Sequence, residues 1–473
     1  MIGFEIHKVT KSPAGAGGLR AHGLDQPKGA GSSTAVHGQA THGDAAHHVA
    51  IHSDSAHMEI RGWAVGRESA VAAVEIVDRG VIVSRSPVDI GRTDIARLHV
   101  DAPGAEHSGF RCLAGLARLS RDFTLVVRAV LEDGTRVSMA TIEGHRPALQ
   151  SSYEPRLQPL MLTTLGRSGS TWMMRLLDAS PKIVVHQRFP YEARATLYWF
   201  EVFRTLVDPD SYLRQLTIPT DLNDTWWAGG PGFRPPPMDP ALDRRLAGKR
   251  VQELAAFCQG QIDTLYSEIA GGQEAAGGSE IDEPVYFAEK LMMRGHIPDL
   301  VWELYGGPKE IVLVRDFRDV VCSILAFIEK RGHTGWGRDR ADSDAAWIRQ
   351  FASQAEAIRG QWESRIGQVH LVRYEDLILQ PTETARRLLA YLELPAEEED
   401  AQRLLDDAAR GMPGVEQHRT ARDATSSVGR WARDLTPELQ SVCEEALGPA
   451  LEAFGYESDP AGISDPSVAA VGT

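Results

Sequence analysis

Between residues 58 and 145 the apolar positions fall in short alternating runs; past residue 158 they fall in longer blocks. VEIVDRGVIVS (74–84) and LVVRAVLEDGTRVSMATI (125–142) alternate apolar and polar side chains, the period of half-buried strands. The apolar segments 58–65, 70–77, 81–84, 124–129 and 137–142 are punctuated by Gly62, Gly80, Gly91, Gly109 and Asp133-Gly134, and LEDGTR reads as a hairpin turn. This pattern predicts a small antiparallel β-sandwich over 58–145. Trp63 offers a face for a sugar ring, with a buried structural role the stronger reading. Residues 1–57, rich in Gly, Ala, Ser and His, give little to pack and read as disordered. Their seven histidines between His22 and His57 make only a weak case for metal. Pro147, Ser151, Ser152 and Pro155 mark a linker over 146–157.

The second pattern begins at MLTTLGRSGSTWMMRLLDASP (161–181). An apolar run ends at Leu165, a Gly/Ser loop follows, and apolar residues then recur on a helical period, which predicts buried strand, tight loop and helix. Such a loop turns backbone N–H groups toward an anion and adds the positive end of the new helix. Gly166, Arg167, Ser168, Gly169, Ser170, Thr171 and Trp172 are its candidate binding residues, Arg167 as the charged donor. The loop lacks the spacing and the lysine of a Walker A motif, which disfavours a nucleotide triphosphatase. On the residues alone, a phosphate loop and an ordinary helix-starting loop stand about level.

Further strands are expected at 183–185, 312–314 and 368–372, with helices at 246–270, 353–366, 381–392 and 437–454. Pro190 precedes another helix, with Glu192 at its start, where the dipole favours a carboxylate. Residues 208–245, holding Trp226, Trp227, Phe233 and Arg234, read as a long loop suited to covering an acceptor, and 271–280 as a surface loop. Arg318-Asp319 reads as the start and cap of the helix after 312–314. Strands alternating with helices imply an α/β domain with a parallel sheet over 158–456, followed by a disordered tail over 457–473.

At 473 residues, two or three domains are expected. The net charge of −15 disfavours nucleic acid and anionic membrane surfaces as partners. Cys112, Cys258, Cys322 and Cys443 lack redox or metal spacing, which fits a reducing compartment. The N-terminus has no long apolar core, and no run reaches the length of a membrane span. Together these point to the cytoplasm; the oligomeric state stays open.

The 161–181 stretch resembles the 5′-phosphosulfate loop of bacterial sulfotransferases that use 3′-phosphoadenosine 5′-phosphosulfate (PAPS). A second block, EIVLVRDFRDVVCSILAF (310–327), resembles the family's 3′-phosphate motif, an apolar strand ending in Arg315 with Ser323 eight residues on. SSVGRW (426–431) resembles the loop that folds over the same phosphate and implies roles for Ser427, Gly429 and Arg430. RYEDL (373–377) resembles the segment that closes the sheet beside the nucleotide. The resemblance covers about 160–456 and implies a P-loop-like parallel sheet flanked by helices, PAPS as sulfuryl donor and no metal. GWAVG (62–66) and Gly109-Phe110 weakly resemble accessory β domains of bacterial glycan-modifying enzymes.

Sulfuryl transfer to a hydroxyl needs a base. The resemblance implies Glu192, on the segment after the first helix, with His186 competing because a histidine needs no pKa tuning. Glu289 is a third candidate for that role. Lys290 would stabilise charge developing on the bridging oxygen of the donor. The expected activity is sulfation of a hydroxyl on a carbohydrate or glycoconjugate. A peptide tyrosine, a hydroxylated natural product and a non-catalytic glycan-binding protein are the alternatives; a small-alcohol kinase lacks its loop lysine. The catalytic part is expected to fold alone from about Ser151.

Overall fold

The computed structural model describes residues 5–11, 33–36, 45–53, 57–207, 240–275, 283–292, 297–332, 335–410, 420 and 423–457. The expected acceptor loop with Trp226, Trp227, Phe233 and Arg234 lies outside these residues apart from its last part, and the tail lies outside them from residue 458. The chain divides into two compact units, 1–154 with 197–262 and 295–304, and 155–196 with 263–294 and 305–473.

Among its described residues the first unit carries nine antiparallel strands: β1 (Glu5–Lys11), β2 (Ser33–Val36), β3 (Ala45–Ser53), β4 (His57–Gly66), β5 (Val71–Asp78), β6 (Val81–Ile90), β7 (Gly109–Gly115), β8 (Asp122–Leu131) and β9 (Arg136–His145). A short helix α1 (Thr93–Leu98) follows β6. The hydrogen-bonded order is β1-β9-β8-β5-β6-β7-β4-β3-β2. β6 belongs to both halves: its first part pairs with β5 and its end, at Val88 and Ile90, with β7. Val74, Ile76, Leu125 and Val127 from one half, and Met58, Ile60, Phe110 and Cys112 from the other, are buried, and the Cys112 thiol reaches the Val74 carbonyl at 3.6 Å.

Within 1–57, expected to be disordered, 5–11, 33–36 and 45–53 are the strands β1, β2 and β3, and the expectation is corrected there. AAHHVAIHS alternates once its histidines are read as strand residues, and β3 pairs with β4 over its full length, from Ala45–Gly66 to Ser53–Met58. GWAVG is part of β4. Trp63 is buried with Val65, Ile95 and Ala105, as its structural reading expects. At Gly62 a Cβ would lie 1.8 Å from the His48 carbonyl oxygen, so only glycine lets β3 approach.

In the same unit Arg146, 1 % exposed, makes two bonds of 2.7 Å to Glu303 of helix α5 (Ile297–Leu304), which also accepts the Leu149 N–H at 2.6 Å. Arg79 pairs with Asp299 of that helix. Helices α3 (Ala195–Val207) and α4 (Pro240–Ala275) contribute to this unit from Leu197 and up to Ile262. α4 extends past the expected helix at both ends, running through Gly271 and Gly272.

The second unit is built on β10 (Gln158–Thr164), β11 (Ile183–Val185), β12 (Tyr286–Met292), β13 (Lys309–Val314) and β14 (His370–Arg373), all parallel, in the order β11-β12-β10-β13-β14. Alternating residues pack on opposite faces. Leu160, Leu162, Ile311 and Leu313 meet helices α2 (Ser170–Asp178), α9 (Pro381–Tyr391) and α10 (Glu398–Ala409). Val312 and Val314 meet α6 (Phe317–Arg331), α7 (Asp344–Glu363), α11 (Trp431–Asp434) and α12 (Pro437–Ala453). Short α8 (Tyr374–Leu379) follows β14. This is the expected α/β architecture with a smaller antiparallel N-terminal part.

Removing one partner of a buried ion pair leaves an uncompensated charge, at a cost of about 3–5 kcal/mol. Glu303→Ala is therefore expected to lower the melting temperature of the full chain by several degrees, and a fragment beginning at Ser151, which lacks Arg146, to melt below the full chain. Unchanged melting in both would show that the pair stabilises nothing.

Candidate active site

Neighbouring parallel strands deliver their loops side by side at the carboxyl edge of the sheet, where α/β proteins gather ligands. β10 and β13 are such neighbours, Thr164 lying opposite Leu313. The glycine loop leaves the first and Arg315 the second. β14 lies beyond β13 and delivers Tyr374.

Positive φ angles at Arg167 (71°) and Gly169 (85°) shape the loop. Gly169 precedes the first turn of α2, and a Cβ there would lie 2.4 Å from the Tyr374 ring. The first amides of a helix have no intrahelical acceptor, so Ser170 and Thr171 present theirs at this end. The Arg167 guanidinium donates to the Ser323 hydroxyl at 3.1 Å and to the Thr420 hydroxyl at 3.4 Å, and lies over the Phe327 ring. Arg315, buried, donates to the Arg167 carbonyl at 3.2 Å and to the Ser427 carbonyl, with its guanidinium over the Tyr374 ring. Tyr374 and Ser427 share a hydroxyl bond of 3.1 Å. Arg430 pairs with Asp434 and donates to the Thr420 carbonyl at 3.1 Å.

Burial, with repulsion from Arg315 and Arg430, pulls Arg167 down to about 10. A site that crowds three guanidiniums until one is destabilised as a cation is suited to a bound anion. A cavity of about 620 Å³ opens there, lined by Arg167, Ser170, Thr171, Arg315, Ser323 and Tyr374, among others. The buried Ser168 hydroxyl has no hydrogen-bond partner among the described residues. Arg167, the first α2 amides, Arg315, Ser323 and the 427–430 loop thus form a donor set suited to an anionic ligand.

Asp319 does not cap α6. Asp316 does, accepting the Arg318 N–H at 2.9 Å. The Asp319 carboxylate, fully buried, instead accepts the N–H groups of Gly429 (2.7 Å) and Trp431 (2.9 Å) and lies 3.9 Å from Arg315. It ties the loop to the arginine beneath it. Reading the sequence alone missed this role and that of Thr420; the only signal for Asp319 was its position one helical turn after Arg315.

The candidate catalytic residues lie one strand to the other side, outside the lining of that cavity. Lys290 on β12 lies opposite Leu162 of β10 and is buried. Its ammonium bonds Glu192 at 2.8 Å, and Arg194 also pairs with Glu192. Burial pushes the Glu192 carboxyl upward, but Lys290 and Arg194 outweigh it and hold the pKa below the usual range. Burial lowers the Lys290 ammonium against the pull of Glu192. His186, half-buried after β11, bonds to neither. The helix-start account of Glu192 is corrected: α3 opens at Ala195, and its first amides go to Glu289. Glu289 and Lys290, unassigned to an element by periodicity, stand on a buried strand.

This α/β domain brings a glycine loop and converging arginines to one edge of a parallel sheet. A model of the Sulfotransferase family matches residues 159–398, and the chain belongs to that family. Carbohydrate sulfotransferase 3 of mouse is 25 % identical over 174 residues, and the human protein of that name 28 % over 177; each match covers 33 % of this chain and 36 % of the relative. The chain thus spans little more than a third of the length of these curated relatives. The solved sulfotransferase domain from the curacin biosynthetic pathway is similar at 16 % identity and a TM-score of 0.39, covering 65 % of this chain and 99 % of that one. Mouse SULT7A1 complexed with PAP is similar at 11 % identity and a TM-score of 0.35, covering 63 % and 86 %. Among the described residues no helix is long and apolar enough to cross a membrane.

Burial raises the Asp319 carboxyl to about 6, from an ordinary 3.8, against the pull of Arg315 and the two amides. The folded protein therefore binds this proton more tightly than the unfolded chain, so Asp319 contributes a loss of stability as pH rises from 4 to 6. Asp319→Asn removes that slope: thermal melts of the variant should gain on wild type between pH 4 and pH 6. Parallel melting curves would contradict the assignment.

Proposed function

We propose that the chain is a sulfotransferase that uses PAPS and sulfates a hydroxyl on a carbohydrate. The observation that carries this reading is the convergence of Arg167, Arg315 and Ser323 at the head of α2. PAPS supplies the sulfuryl group. Arg167 and the first amides of α2 hold its 5′-phosphosulfate, and Arg315, Ser323, Ser427, Gly429 and Arg430 its 3′-phosphate. Glu192, ionised at neutral pH because Lys290 and Arg194 hold its pKa down, takes the proton of the acceptor hydroxyl as the new S–O bond forms. Lys290 stabilises charge on the oxygen from which sulfur departs. As that charge grows it draws Lys290 away from Glu192, which makes the carboxylate a stronger base. The name of the mammalian relatives favours a carbohydrate acceptor over a peptide tyrosine or a hydroxylated natural product.

Removing a general base costs roughly 10²–10⁴-fold in rate. Glu192→Gln should therefore depress single-turnover sulfate transfer from PAPS to a confirmed acceptor by that amount while leaving affinity for adenosine 3′,5′-bisphosphate unchanged. Retention of turnover within about threefold, far below the loss of a base, would end the assignment. Collapse of turnover in His186→Gln alone would move the role to the histidine.

A further inference from the structure

Resting on that reading, we propose that Glu289 is a positioning residue: with Tyr266 it clamps the backbone just after Glu192 and so fixes where the base points. β11 pairs with β12 only as far as Ala288. The next two residues of β12, Glu289 and Lys290, therefore meet a non-strand segment, residues 192–196. Successive side chains of a strand point to opposite faces, and these two take hold of that segment at its two ends. Lys290 bonds the Glu192 carboxylate. One Glu289 oxygen accepts the Ala195 N–H at 2.7 Å, the Thr196 N–H at 3.1 Å and the Tyr266 hydroxyl at 2.7 Å; the other accepts the Thr196 N–H at 3.0 Å.

These amides open α3, where an N-cap side chain would ordinarily accept them. The residue before the helix is Arg194, at φ 56° with its guanidinium on Glu192. It has no acceptor to offer, and Glu289 supplies one from the sheet. Tyr266, fully buried and stacked on Phe287 with ring centroids 4.3 Å apart, orients the carboxylate in turn. With its oxygens engaged and only 2 % of its surface exposed, Glu289 is not a second base: the bonds it accepts are those of a brace. Arg194, between the two grips, and Tyr191, just before them, have positive φ, a conformation that side-chain-bearing residues keep only where their surroundings hold it.

Glu289→Gln places an amide donor against these N–H groups while keeping the shape. Hydrogen exchange of the Ala195 and Thr196 amides, measured on the full chain without donor or acceptor, should accelerate by about tenfold or more, the signature of a local opening. Single-turnover transfer should fall by about tenfold with bisphosphate affinity held. In a Glu192→Gln background the same substitution should cost less than about twofold, because residues acting through one another are not additive. A merely structural role predicts additive losses, which would overturn the proposal, as would unchanged exchange. If Glu289→Gln does not fold, Tyr266→Phe removes one donor and should show the same non-additivity in smaller measure; additive losses there overturn the proposal equally. If wild type transfers no sulfate to any acceptor, the functional reading fails, and the exchange arm still decides whether the clamp exists.

Discussion

Three guanidiniums crowded at one sheet edge are the constraint on which the second unit depends. Burial and mutual repulsion with Arg315 and Arg430 lower Arg167. Arg167 is held by the hydroxyls of Ser323 and Thr420, Arg315 by the carbonyls of Arg167 and Ser427 with Asp319 3.9 Å away, and Arg430 by Asp434 and the Thr420 carbonyl. Such an arrangement costs electrostatic free energy that a bound dianion would offset, because charge-assisted bonds in a partly desolvated site are strong. The parallel sheet makes the crowding possible by placing the ends of β10 and β13 side by side.

Two buried carboxylates hold main chain beside these side chains. Asp319 accepts the amides of Gly429 and Trp431, and Glu289 those of Ala195 and Thr196. Each uses an ionisable side chain to fix main chain, and burial raises the pKa of both. Orientation of a few side chains within a fraction of an ångström is worth much of a catalytic barrier, and backbone clamped from a rigid sheet or helix supplies it.

The strand–loop–helix around Arg167 and the strand ending at Arg315 were legible in the sequence because their periodicity and glycines agree. The partners were not. Asp319 looked like a cap because acidic residues at helix starts usually are, and its distant acceptor contacts leave no mark in local spacing. β12 was hidden because FAEKLM carries two charged residues on a strand where both are buried, Glu289 against amides and Lys290 against Glu192. The N-terminal strands were hidden by composition: the histidines of β3 read as part of a disordered segment, although the strand pairs with β4 along its whole length. α4 ran through a Gly-Gly pair that local propensity treats as a stop.

The central claim is that the arginine-lined cavity recognises a nucleotide by its 3′-phosphate. Titration calorimetry of the full chain with adenosine 3′,5′-bisphosphate, AMP as the comparison ligand and Arg315→Ala as the comparison protein, tests it most directly. A charge-assisted bond to phosphate is worth about 1.5–3 kcal/mol, so wild type should prefer the bisphosphate by at least about tenfold and Arg315→Ala should erase most of that preference. Equal affinity of wild type for the two nucleotides would contradict the account.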